Sequence, residues 1–144
     1  MRVTLDASVW LAVISSAESS HDACLTLMLA LVNRAVEMHQ PGLFIVEVAA
    51  TIARRTRNYA LAMDVSRAAS AAPHLVLYEL DHRRAATAAH VAALCALRGA
   101  DAVYVATARD AGATPITLDR ELLERGVAVA QIQTPAQWMA DRRE

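Results

Sequence analysis

Short apolar runs alternate with stretches of helical periodicity along this chain, and that alternation restricts the fold more than any other feature of the sequence. Residues 2–6, Arg-Val-Thr-Leu-Asp, read as a short buried strand that ends in a carboxylate, and residues 7–14 as a first helix. A helix starting at Ser20-His21-Asp22 runs to about Met38, and a second strand begins near there and closes at Leu43-Phe44 after the break at Pro41-Gly42. Helical periodicity resumes over 45–58, and a further helix reaches about Ala72, where Pro73 resets the chain. Residues 75–80 make a third strand, and Asp81 caps a helix to Leu97 that Arg98-Gly99 terminates. Asp101 opens a helix that stops at Gly112. Residues 114–118 form a fourth strand, a single-turn helix runs from Asp119 to Gly126, and residues 127–132 form a fifth strand. Thr134 and Pro135 carry the cap and first position of a last helix. Strands that alternate with helices predict an α/β fold, a parallel sheet covered on both faces.

The length of 144 residues suits one domain with a real core, and residues 1–144 are expected to form that single unit. No apolar run is long enough to span a bilayer, and Asp6 interrupts the first apolar stretch, so a soluble, cytoplasmic chain with no membrane partner is expected. Cys24 and Cys95 lie in alanine- and leucine-rich helical patterns, as small core residues do. The histidines are scattered and read as surface or capping residues. The net charge of −1 gives no global basic field. All 14 basic residues are arginine, which excludes any mechanism that needs a lysine.

Four acids stand apart from the rest. In open parallel sheets, ligands bind beyond the carboxyl ends of the strands, near the point where strand order reverses. Asp6 follows the first strand, Glu47 lies just past the second, Asp119 follows the fourth, and Asp101 starts the helix leading into the fourth. One rim can therefore gather four carboxylates. Like charges at close range repel and raise each other's pKa unless a cation intervenes. Magnesium or manganese prefers such oxygen ligands, and one or two ions can activate water against a phosphodiester. Asp6, Asp101 and Asp119 also stand at helix starts, where aspartate caps, and capping alone accounts for any one of them. Glu47 interrupts the apolar stretch 43–50, where a charge is costly unless paired, metal-bound or turned to solvent.

Arginines are available for substrate. Arg54 lies two turns after Glu47 on the same helical face, with Arg55 and Arg57 beside it, and Arg120 follows Asp119. The planar guanidinium fork suits phosphate, although each of these side chains also reads as an ordinary surface charge.

The residues then match a known pattern. Val3-Thr4-Leu5-Asp6-Ala7-Ser8 resembles the first motif of PIN-domain nucleases, VapC-type toxins especially. Glu47 stands where that family places its second acid, Arg98-Gly99-Ala100-Asp101-Ala102-Val103-Tyr104-Val105-Ala106 resembles the third-acid motif, and Ile116-Thr117-Leu118-Asp119 resembles the last. The resemblance implies a five-stranded parallel sheet of order 3-2-1-4-5. It implies a Mg/Mn-dependent endoribonuclease with Asp6 and Asp101 as the firmest metal ligands, Glu47 and Asp119 completing the site, and Thr117 orienting it. Ser8, Arg54 and Arg120 are the candidate substrate contacts. It further implies a toxin held inactive by a small cognate antitoxin, which docks on the projecting helices between about Ala49 and Ala72, and a homodimer.

Rival readings fail on residues. A haloacid-dehalogenase phosphatase needs a second aspartate where Ser8 stands and a lysine that the chain lacks; a response-regulator receiver fails on the same lysine. No glycine-rich phosphate loop is present. The remaining alternatives are a non-catalytic PIN module that binds RNA or protein and a structural-only α/β domain, which divalent ions would not stabilise.

Overall fold

In the computed structural model of the chain, residues 1–142 are described. The strands are β1 (Arg2–Leu5), β2 (Glu37–Pro41), β3 (Leu75–Tyr78) and β4 (Thr114–Ile116). The helices are α1 (Ala7–Ile14), α2 (His21–Asn33), α3 (Leu43–Thr56), α4 (Tyr59–Ser70), α5 (His82–Cys95), α6 (Gly99–Ala111), α7 (Arg120–Arg125) and α8 (Pro135–Ala140). All strand pairs are parallel, and the order is β3-β2-β1-β4. The chain thus winds outward from β1 through β2 to β3, then returns to the other side of β1 as β4. Strand order reverses between β1 and β4, which is where a ligand crevice is expected.

β1 is buried on both faces: Val3, Thr4 and Leu5 are all 0–1% exposed. Its apolar residues join Met38, Phe44, Val48, Cys24, Leu27, Leu31 and Trp138 in the main core, with the Trp10 and Phe44 rings 4.9 Å apart. A second cluster joins α5, α6 and α7 through Val91, Cys95, Val105 and Leu122. Both cysteines are buried and free, as their apolar surroundings predict. Thr134 caps α8 in a reciprocal capping box with Gln137, and Pro135 occupies the first turn. Among the described residues, no single helix is long and apolar enough to cross a membrane.

The fifth strand predicted over 127–132 is not formed. Gly126–Ala128 is a 3-10 turn, and among the described residues only Gln133 bridges the sheet edge, opposite Ile116. The side chain of Ile132 lies over Gly126 so closely that a Cβ on that glycine would meet it at 2.2 Å. Val129 and Ala130 pack into the second cluster instead of pairing with β4. Order 3-2-1-4 therefore holds, and position 5 is reduced to a single bridge.

Three other expectations shift. β2 is the polar segment Glu37–Pro41, and Leu43-Phe44 opens α3. His39 is buried on β2 between the Tyr78 hydroxyl and Glu37, where a surface position was expected. The helix expected to end at Arg98-Gly99 ends at Cys95, with Ala96 as its left-handed cap at φ 51°, and Gly99 begins the next helix. The Ala96 and Leu97 amides both bond back to the Ala92 carbonyl, and buried Leu97 anchors the turn.

Ala96 is exposed, so its methyl gains little from packing while its backbone bears the left-handed penalty. Ala96→Gly is expected to stabilise the protein by roughly 1 kcal/mol, read as a higher midpoint in urea unfolding. An unchanged or lower midpoint would contradict the strained-cap assignment.

Candidate functional site

Each sequence-predicted acid arrives at one rim by a short local path. The Asp6 amide donates to the Ile116 carbonyl at 2.9 Å, so β1 ends in register with β4 and its next side chain rises beyond the sheet. Asp6 occupies the N-cap position of α1 but makes no side-chain capping bond. Its Oδ2 accepts instead from the Ser8 hydroxyl at 2.5 Å and from the Thr117 hydroxyl at 3.0 Å. Those two hydroxyls in turn accept backbone amides, Leu118 N–H on Ser8 at 3.3 Å and Asp119 N–H on Thr117 at 2.9 Å. Thr117 is fully buried, so its hydroxyl is fixed by these two bonds.

Glu47 rises from the second turn of α3. The hydroxyl of buried Tyr104 on α6 donates to its Oε2 at 2.5 Å. Asp101 lies in the first turn of α6, buried, three residues past the Arg98 cap position. Asp119 is the cap of α7, its Oδ1 accepting the Leu122 amide at 3.1 Å. Arg98, the N-cap residue of α6, ties the last two together: Nε donates to Asp101 Oδ2 at 2.9 Å and Nη2 donates to Asp119 Oδ2.

These groups line one cleft of about 580 Å³, with Asp6, Ser8, Glu47, Asp101 and Asp119 on its floor and walls and Arg54, Arg55 and Arg98 among its lining. Arg55 is ion-paired to Glu18 at 2.7 Å, a residue that the sequence reading left unassigned. Arg120 is not brought to the cleft. It extends into solvent and pairs with Glu124 on its own helix at 2.7 Å, because the α7 periodicity turns it away from Asp119.

The electrostatics separate the four acids. Burial raises the Glu47 carboxyl above the usual carboxylate range; the Tyr104 hydrogen bond offsets part of this, and the Asp6 and Asp101 charges add to it. Burial likewise raises Asp101, partly offset by Arg98 and reinforced by Asp6 and Asp119. For Asp119, burial is outweighed by the Leu122 amide and Arg98, which hold the carboxyl below its usual value. The Tyr104 hydroxyl is pushed up by burial and by the Glu47 charge, so it remains a donor.

The donor chemistry fits a hard divalent cation. Asp6 Oδ1, Glu47 Oε1 and Asp101 Oδ1 accept no hydrogen bond among the described residues, whereas both oxygens of Asp119 are engaged. The geometry is not drawn in around a point: among the described residues, no three such side chains stand close enough together to hold an ion. Arg98 is the positive charge seated between two of them.

The sequence of residues 3–127 matches the PIN domain. The chain belongs to the PIN-domain family. Members of that family are generally metal-dependent nucleases. Solved structures with the same fold include VapBC2 from Rickettsia felis, bound to a DNA fragment from its promoter, at 9% identity and TM-score 0.72, covering 93% of this chain and 98% of that one. VapBC-1 from nontypeable Haemophilus influenzae is similar at 12% identity and TM-score 0.70, over 94% and 99% of the two chains. PAE2754 from Pyrobaculum aerophilum follows at 20% identity and TM-score 0.63, over 98% and 97%. No curated protein matches the sequence.

Two residues of this PIN domain escaped the sequence reading. Tyr104 was legible in principle, because a tyrosine inside the apolar run 102–106 must find a partner for its hydroxyl. Arg98 stands three residues before Asp101, a spacing that permits a helical ion pair, but its reach to Asp119 depends on the tertiary fold.

The raised Glu47 pKa fixes a sign. A carboxyl with a folded pKa above its unfolded value contributes stability that is fully present below the unfolded value and is lost as pH rises through the folded one. Glu47→Gln keeps an acceptor for Tyr104 and removes the charge. With chelator present, it is expected to raise the melting temperature by a few degrees at neutral pH, and the gain should vanish in acid. A lower melting temperature at neutral pH would contradict the assignment.

Proposed function

We propose that residues 1–144 form one PIN domain that acts as a metal-dependent endoribonuclease, the toxin of a toxin–antitoxin pair. The observation that carries the reading is the set of three carboxylate oxygens, on Asp6, Glu47 and Asp101, that have no donor among the described residues although their residues share one cleft. Burial and neighbouring carboxylates raise the Glu47 and Asp101 carboxyls, a cost that a bound cation would relieve. They suit Mg²⁺ or Mn²⁺, which when bound would activate a water and stabilise the leaving oxygen of a phosphodiester.

The protein's own residues have distinct tasks. Asp6 and Asp101 are the principal ligands, Asp6 held by two hydroxyls and Asp101 by its buried place in the first turn of α6. Thr117 and Ser8 orient Asp6 through Oδ2 and leave Oδ1 to the cleft. Tyr104 does the same for Glu47. Asp119 contributes charge at the rim while capping α7. Arg54 offers a guanidinium on the α3 wall for the RNA backbone, and the cleft lining supports this role for Arg54 over Arg120.

The antitoxin reading is supported by a groove of about 270 Å³ between α1, α2 and α4, lined by Trp10, Ile14, Met28, Val65 and Ala69. A helix with an apolar face fits such a groove. A homodimer and a cytoplasmic setting belong to the same reading.

Cleavage of a mixed RNA substrate with manganese tests it. Asp6→Ala should lose roughly 100-fold or more, and Thr117→Val about 10–100-fold, the usual cost of an outer-sphere partner. Equal cleavage by wild type and Asp6→Ala, or none by either, would return the chain to the non-catalytic reading.

A further inference from the structure

Arg98 is held by charge and not by packing. Its side chain is 61% exposed, yet its guanidinium spans Asp101 on α6 and Asp119 at the start of α7. Its backbone is extended at φ −62°, ψ 150°, ahead of the first turn of α6. Only two of the five donors on the fork are engaged with these acids. The pull is mutual, because one guanidinium stands within ion-pair distance of both carboxylates. Arg98 therefore already does, for Asp101 and Asp119, part of what a metal ion would do.

Two cations cannot share Asp101 without opposing each other. A divalent ion taken up by Asp101 is repelled by a guanidinium at hydrogen-bond distance from the same carboxylate. Being exposed, Arg98 can swing out at little packing cost. When it does, a planar donor fork with fixed charge is left at the mouth of a cleft that also carries Arg54.

Building on the metal-nuclease reading above, we propose that Arg98 is an exchangeable counter-ion of the site. It neutralises Asp101 and Asp119 in the metal-free protein, yields Asp101 when a divalent cation is bound, and then takes a phosphate of the RNA backbone. Metal and RNA binding are thereby coupled through one side chain, and the coupling is reciprocal. The same residue lowers metal affinity and raises RNA affinity in the metal-bound protein.

The test uses the full chain, with Arg98→Gln and Arg98→Lys beside wild type. Manganese binding is measured alone by calorimetry, and binding of a cleavage-resistant RNA oligonucleotide is measured by fluorescence anisotropy at saturating manganese. Arg98→Gln is expected to bind manganese about tenfold more tightly, equivalent to about 1.4 kcal/mol, and RNA several-fold more weakly. Arg98→Lys, which keeps the charge but not the fork, should fall between on both measures. If Arg98 served only to hold Asp101 and Asp119 in place, Arg98→Gln would weaken manganese binding, the opposite sign. Unchanged or weaker manganese binding, or unchanged RNA binding, would overturn the proposal while leaving the nuclease reading intact. Wild type that binds no manganese would overturn both.

Discussion

Asp6 stands at the end of a strand buried on both faces, and its carboxylate is fixed from below by two hydroxyls before any ligand is considered. Those hydroxyls come from α1 and from the turn after β4, residues separated by more than 100 positions in the chain. Each is itself held by a backbone amide. The bond pattern therefore ties the carboxyl ends of β1 and β4 together at the reversal of strand order and leaves the second oxygen of Asp6 facing outward. Glu47 and Asp101 feel this arrangement directly, because the Asp6 charge is one of those that each of them meets.

Around that point the fold accumulates negative charge faster than it supplies donors. Burial works against the ionised forms of Glu47 and Asp101, and neighbouring carboxylates add to the cost. Tyr104 and Arg98 offset part of it. Asp119 is the exception, since the α7 amide and Arg98 satisfy it fully and hold its pKa down. The four acids are thus unequal in a way that sequence spacing does not display. Three retain an unused oxygen, and one is a helix cap with a rim charge. Capping, a sufficient explanation for Asp6 and Asp101 from sequence, is ruled out for both by geometry: Asp6 makes no capping bond, and Asp101 lies inside the first turn.

Much of this was readable beforehand because the readable features are local. A carboxylate after an apolar strand, a hydroxyl two residues before another acid, and a capping box ahead of Pro135 each follow from a few adjacent residues. What was not readable depends on long-range packing. The polar run Glu37–Pro41 is a strand only because β1 and β3 pair on either side of it. The alternating run 127–132 has strand propensity, yet Ile132 packing on Gly126 draws it off the sheet. Asp110 on α6 pairs with Arg83 and Arg84 in a network that only the α5–α6 contact creates. Arg98 belongs to the same class, since its second partner lies on an element that sequence cannot dock.

The central claim is that Asp6, Glu47 and Asp101 together hold a divalent cation. Anomalous diffraction at the manganese edge from crystals soaked in manganese tests it directly. The account predicts a peak within coordination distance of all three carboxylates, with Arg98 withdrawn from Asp101. A peak elsewhere, or no peak while Arg98 stays bridged to Asp101 and Asp119, would contradict it.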